Sequence, residues 1–136
     1  MSRMVRFLDP YAECTHDTVR IVASYGFMLH GVQKLFGVLG REPVEVVSLL
    51  GAAALIEVLG GAFIVLGFFT RVVAFIASGE MAVAYFVGHV AREEALLFPV
   101  ANGGEPALLY CFLFLFLAAK GPGAWSLDAM VRRVGS

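Results

Sequence analysis

The chain has 136 residues, 60 % of them hydrophobic and 15 % charged, with a formal net charge of −1. Soluble domains are roughly 45–50 % apolar and about 25 % charged, and a domain this small cannot bury the surplus in its own core, so the bilayer is the fitting solvent. No basic tract speaks for nucleic acid, and the mixed polar opening MSRMVRFLDPYAECTHD carries no signal-peptide pattern.

Four apolar stretches read as helices. The first covers residues 18–39 (TVRIVASYGFMLHGVQKLFGVL) and is the most polar, with Arg20, His30, Gln33 and Lys34. The second, 44–69, and the third, 71–91, meet the roughly 20 apolar residues that a spanning helix needs. The fourth, 105–120 (EPALLYCFLFLFLAAK), is short unless the loop before it lies at membrane depth. Its CFLFLFL run is apolar all round and must touch lipid, a ligand tail or another subunit.

Short links, GREP and a lone Thr70, make the first three helices antiparallel neighbours, while residues 92–104 lead into the fourth. An all-α, antiparallel four-helix membrane bundle in one domain over residues 1–136 follows. The tail 121–136, with Trp125 before SLDAMVRRV, alternates apolar and basic positions and suits the inner membrane surface; a disordered basic tail fits the same composition.

With the N terminus inside, the inner side holds Arg3, Arg6, Arg20, Arg71, Lys120, Arg132 and Arg133, against Lys34, Arg41 and Arg92 outside. That excess of cations places both termini in the cytoplasm and predicts a multi-pass protein of the plasma (inner) membrane.

Depth follows from this topology. Glu57 falls at the middle of the second helix and Glu80 near the middle of the third. His30 and Lys34 stand one turn apart on the first helix, Tyr85 and His89 likewise on the third, all rising toward the outside. Asn102 and Glu105 lie in the outer loop and at the mouth of the fourth helix.

An ionised side chain inside a bilayer costs roughly 2.5–3.5 kcal/mol or more when unpaired. These groups are therefore expected to face inward and pair, and Lys34 is the natural cation for Glu57. Three readings of such a pair stand open: a link that fixes helix register, one wall of a binding or proton-handling pocket, and an interface with another subunit. The stretch FPVANGGEPALLY (98–110) is then the pocket's lid. Its glycines permit a tight turn, Asn102 can satisfy backbone groups, and Glu105 sits where the helix dipole favours an anion. His30, His89 and the two glutamates make a metal set only if they converge, and no metal site is expected. Cys14 and Cys111 form no CxxC and lie on different sides of the midplane, so no disulfide is expected between them.

The motifs GVQKL around Lys34, IEVLGGAFIVLGFFTR (56–71), MAVAY from Met81, FPVANGGEPALLY and GPGAWSLD (121–128) together resemble the DoxX family of small four-helix membrane proteins. The resemblance runs over nearly the whole chain after about residue 18. Its pattern positions are Lys34, Glu57, Gly60, Gly61, Arg71, Met81, Asn102, Gly103, Gly104, Glu105, Ser126 and Asp128. Relatives of that kind include a subunit of a thiosulfate:quinone oxidoreductase and a membrane partner of superoxide dismutase and a sulfurtransferase in thiol-stress defence. The resemblance implies a redox neighbourhood but brings no catalytic mechanism. Without a dithiol, a redox role depends on a bound quinone or on a partner.

The expected function is a membrane subunit of a redox system, binding a quinone-like or small sulfur-containing molecule in a polar pocket between helices that faces the outer side. Its ligand-binding or proton-handling candidates are His30, Lys34, Glu57, Glu80, Tyr85, His89, Asn102 and Glu105, with Arg20 a further candidate from its charge alone. Expected partners are the lipid bilayer and other subunits of a redox complex; whether the chain is itself an enzyme stays open. The alternatives are a non-catalytic docking subunit whose buried ions are structural and a proton-coupled transporter. The transporter lacks the broken-helix pairs and inverted halves common among such folds.

Overall fold

A computed structural model describes residues 6–91 and 97–135; Arg3 and Arg92, used in the charge count above, lie outside the described residues. A short 3₁₀ turn, Asp9–Tyr11, leads into α1, Ala12–Phe36. There follow α2, Leu49–Leu66, and α3, Thr70–Val90, then α4, Glu105–Lys120, and α5, Leu127–Val134. Among the described residues there is no strand, and α2 and α3 are the helices long and apolar enough to cross a membrane.

The ends of these helices depart from the sequence reading for identifiable reasons. α1 begins at Ala12 rather than Thr18, because His16 and Asp17 bury against the tail instead of facing water. It stops at Phe36, where Gly37 turns left-handed (φ 62°). Residues 44–48 stay outside α2: Val44 N–H donates to the Lys34 carbonyl (2.9 Å) and so helps close α1. Ser48 caps α2, its Oγ accepting from Gly51 N–H at 2.9 Å.

Both long apolar helices widen into π-helix part of the way along, α2 over Ile56–Gly60 and α3 over Ala84–Val90. Such widenings are uncommon and cluster at functional sites. Glu57 sits in the first, Tyr85 and His89 in the second.

α1 packs along α2, and α3 packs most extensively on α4, whereas α1 and α4 scarcely meet. The α1–α2 seam is close because glycines stand in it. A Cβ on Gly31 would lie 2.6 Å from the Ala54 carbonyl oxygen, and one on Gly61 would lie 2.7 Å from Met28 Cβ. Phe27, Ile64, Met81, Phe114 and Leu117 fill the centre. Large apolar side chains also point outward in helical stripes, such as Leu55, Leu59, Phe63 and Leu66 on α2. Small and polar residues instead occupy much of the interior, the inverse of a water-soluble domain.

The start of α1, the α2–α3 turn, the end of α4 and α5 meet at one end of the molecule, called here the terminal end. There the helix ends are capped by side chains from elsewhere. Arg20 of α1 donates to the carbonyls of Ile64 (2.6 Å) and Val65 (2.7 Å), near the last turn of α2. Arg71 donates to Ala118 (2.9 Å) and Ala119 carbonyls at the end of α4. Asp128 accepts from Phe69 N–H (2.9 Å) and Thr70 N–H (3.0 Å) at the start of α3. A carboxylate at a helix N-terminus and guanidinia at two C-termini also match the helix dipoles. Removing the cap by Asp128→Ala is expected to cost about 1 kcal/mol, measurable as a lower melting temperature in detergent, with Asp128→Asn retaining part of the loss.

Candidate functional site

Lys34 stands in the last turn of α1. One turn earlier, bare Gly31 lets α2 approach so closely that a Cβ there would lie 2.8 Å from Glu57 Cβ. The two charges therefore meet: Lys34 Nζ donates to Glu57 Oε1 at 2.6 Å. Glu57 is 2 % exposed, while the Lys34 side chain keeps 14 % exposure. Glu57 Oε2 is buried and has no hydrogen-bond partner.

Glu80 of α3 approaches from the other side. It lies within electrostatic range of both Glu57 and Lys34, and its own Oε2 is buried without a hydrogen-bond partner. Two carboxylates thus lie in the field of one ammonium, which is bonded to Glu57, and two buried oxygens are left over. A buried acceptor without a donor costs about 1–3 kcal/mol. The arrangement has unused capacity for a donor, whether a proton, a water or a ligand group.

A second cluster forms where the π-helical part of α3 meets the loop before α4. His89 Nδ1 donates to the Asn102 carbonyl (3.0 Å), and Asn102 Oδ1 accepts from Gly104 N–H (2.8 Å). Gly104 lies flat on Tyr85: a Cβ there would stand 2.7 Å from two ring carbons. The Asn-Gly-Gly loop is therefore pinned to α3 through Tyr85, His89 and Asn102, and Asn102 is buried.

The structure thus gathers Lys34, Glu57 and Glu80 into one group and Tyr85, His89 and Asn102 into another. Glu105 joins neither, and His30 stays at the edge of the first, within electrostatic range of Glu57 but bonded to none of its members. Both are exposed, His30 on α1 and Glu105 in the first turn of α4. They border the region where α1 and α4 diverge. The groove there, about 470 Å³, is lined by Ala23, Glu105, Pro106, Leu109, Tyr110 and Leu113.

Tyr110 escaped the sequence reading. Its hydroxyl reaches across to α1 at Gly26, where a Cβ would stand 2.8 Å away. The His30 ring meets the Tyr110 ring edge-on at 6.2 Å, and Tyr110 feels the charge of Glu57. It lines the open groove and lies within electrostatic range of the charged group. The usable signal was its place as the one polar-tipped aromatic in LLYCFLFLFL.

Arg20, a candidate on its charge alone, serves as a cap at the terminal end: Nη1 and Nη2 donate to carbonyls, while Nε is buried without a partner. Among the described residues no group of three or more His, Cys, Asp or Glu is placed to hold a metal ion. Cys14 and Cys111 are free thiols.

The DoxX family profile matches residues 17–90, a span that takes in Lys34, Glu57, Glu80, Tyr85 and His89 and stops before the Asn102–Glu105 loop. A protein of Haemophilus influenzae (strain KW20 / Rd), described as uncharacterized, is 46 % identical over 125 residues, covering 89 % of this chain and 93 % of that protein. No solved structure matches the chain. With its outward-facing apolar stripes and its match over more than half its length, the chain belongs to the DoxX family of membrane proteins.

Proposed function

We propose that the chain is a membrane subunit of a redox system that holds a quinone-like molecule in the groove between α1 and α4. In this reading α1 to α4 all span the inner membrane as an antiparallel bundle, with the cation-rich terminal end in the cytoplasm. The groove opens sideways, so a molecule dissolved in lipid reaches it without crossing water. Ala23, Leu109 and Leu113 suit an apolar tail. Tyr110 and His30 offer donors to a ring carbonyl, with Glu105 at the mouth.

The observation that carries the proposal is the charged group behind Tyr110: one ammonium, two carboxylates and two buried oxygens without donors. Reducing a quinone to a hydroquinone takes up two protons and two electrons. Lys34, Glu57 and Glu80 form a store from which protons can pass by way of Tyr110, while the electrons come from a partner subunit. A small sulfur-containing anion would use the same Lys34 but gain nothing from the apolar walls, which favours the quinone.

The test is quinone binding to the protein in nanodiscs, with a photoreactive quinone to map the contact. Labelling is expected on α1 and α4 around Tyr110. Tyr110→Phe should weaken binding about fivefold, the worth of one hydrogen bond at about 1 kcal/mol. Unchanged affinity in both Lys34→Met and Glu57→Gln removes the proposal. A docking subunit with purely structural ions is the second reading, favoured by the saturated caps of the terminal end. It predicts no quinone binding at all, and partner capture that fails when residues 120–136 are deleted.

A further inference from the structure

We infer that the charged group holds one exchangeable proton and that Glu80 carries it, beside a Lys34–Glu57 pair that stays ionised. The inference rests on α2 and α3 lying in a bilayer and names the carrier within the proton store proposed above. Its test contains no quinone, so the two fail separately.

Glu80 is the middle residue of α3, Thr70–Val90, and so lies about 15 Å from either end at 1.5 Å per residue. Glu57 stands likewise near the middle of α2, Leu49–Leu66. Glu80 is thus as far from both water layers as α3 allows, yet it is only half-buried. An ionised carboxylate at that depth has neither water nor headgroups to solvate it, and it needs a partner within the protein.

The protein does not give Glu80 that partner. Lys34 Nζ is bonded to Glu57 Oε1 at 2.6 Å. Among the described residues Glu80 enters no salt bridge, and its Oε2 is buried without a hydrogen-bond partner.

The charge balance around the two carboxylates points the same way. Lys34 and His30 act on Glu57 from α1, and Arg41 acts on it from the loop after α1. Glu80 of α3 feels Glu57 and Lys34, and Tyr110 of α4 feels Glu57. Lys34 and Glu57 cancel each other. His30 and Arg41 are exposed, where water and salt screen them. A negative charge on Glu80 would stand beside that of Glu57 with no cation of its own.

One proton on Glu80 removes this imbalance, whereas a proton on Glu57 would strip the Lys34 ammonium of its counter-ion. A proton also needs only a single oxygen. A metal ion needs several ligands, and among the described residues no group of three or more acidic, His or Cys side chains is placed to supply them.

The test uses dicyclohexylcarbodiimide, which dissolves among acyl chains and adds to a carboxyl group that carries its proton. The O–H proton passes to a carbodiimide nitrogen and the carboxyl oxygen bonds to the central carbon; an ionised carboxylate does not react. Full-length protein in nanodiscs is treated at neutral pH, and the modified residue is located by peptide mass spectrometry. Glu80 is expected to be modified and Glu57 to be spared, with labelling of Glu80 falling as pH is raised.

Glu80→Gln should lose the label and keep the parent's melting temperature, because an amide replaces a neutral acid of the same shape. In Lys34→Met, which takes away the cation bonded to Glu57, Glu57 should become labelled as well. Modification of Glu57 in place of Glu80 in the parent protein, or of neither residue, overturns the inference. Protection of Glu80 by added sodium at fixed pH also overturns it, since the occupant would then be a metal cation.

Discussion

Arg20→Met is expected to lower stability by about 3–5 kcal/mol, the cost of breaking a buried charge network by removing one partner. Arg20 is 0 % exposed. Its guanidinium joins three segments: Ile64 and Val65 at the end of α2, the Trp125 carbonyl in the tail, and Asp17 one turn back at 3.6 Å. Losing it takes one donor from the Ile64 carbonyl, which keeps the Gly67 N–H at 3.1 Å, takes the guanidinium from the Val65 carbonyl, and leaves Asp17 without its cation. Arg20→Lys should recover little, because one ammonium cannot replace a planar fork bonded in two directions. Thermal unfolding in detergent, followed by circular dichroism, measures both. A loss below about 1 kcal/mol, the size of an ordinary hydrogen bond, would show that water enters and replaces the guanidinium.

The second large effect concerns the Lys34–Glu57 pair. Lys34→Met should cost about 3–5 kcal/mol, since Glu57 is left buried with both oxygens bare. Glu57→Gln should cost less. The Lys34 head keeps 14 % exposure, and its flexible stem lets the ammonium swing toward water. The double variant Lys34→Met/Glu57→Met removes both charges, and a well-packed apolar replacement of a buried pair is close to neutral. Its stability should therefore return nearly to that of the parent.

Quinone binding should not return with it. Melting temperature and binding measured on the same three variants separate the two roles of the pair. Recovery of both in the double variant would make the pair purely structural.

Several features were open to reading from the chain alone. Glu57 and Lys34 each interrupt an apolar run, and opposite charges in oil have to find each other. The limits of α4 are written in Glu105-Pro106 and in Lys120-Gly121, chemically sound start and stop signals.

Other features were hidden for physical reasons. Residues 12–17, AECTHD, look like a solvated lead-in, and only the return of the tail makes His16 and Asp17 interior. Helical spacing put His30 on the same face as Lys34, but a face is wide. Lys34 bends toward α2 while His30 looks at Tyr110 across the gap to α4. The π-helical widenings leave no mark in composition, yet they govern how Glu57, Tyr85 and His89 are aimed.

The caps of the terminal end bear on the order of assembly. Asp128, which closes the first turn of α3, and the Trp125 carbonyl, which accepts from Arg20, belong to chain that is made after α4. The α2–α3 hairpin therefore waits with its turn unsealed while α4 is being made. The stretch after α4 acts as a clasp fastened once α4 is in place, and a nascent chain halted before it would hold its helices side by side without locking them.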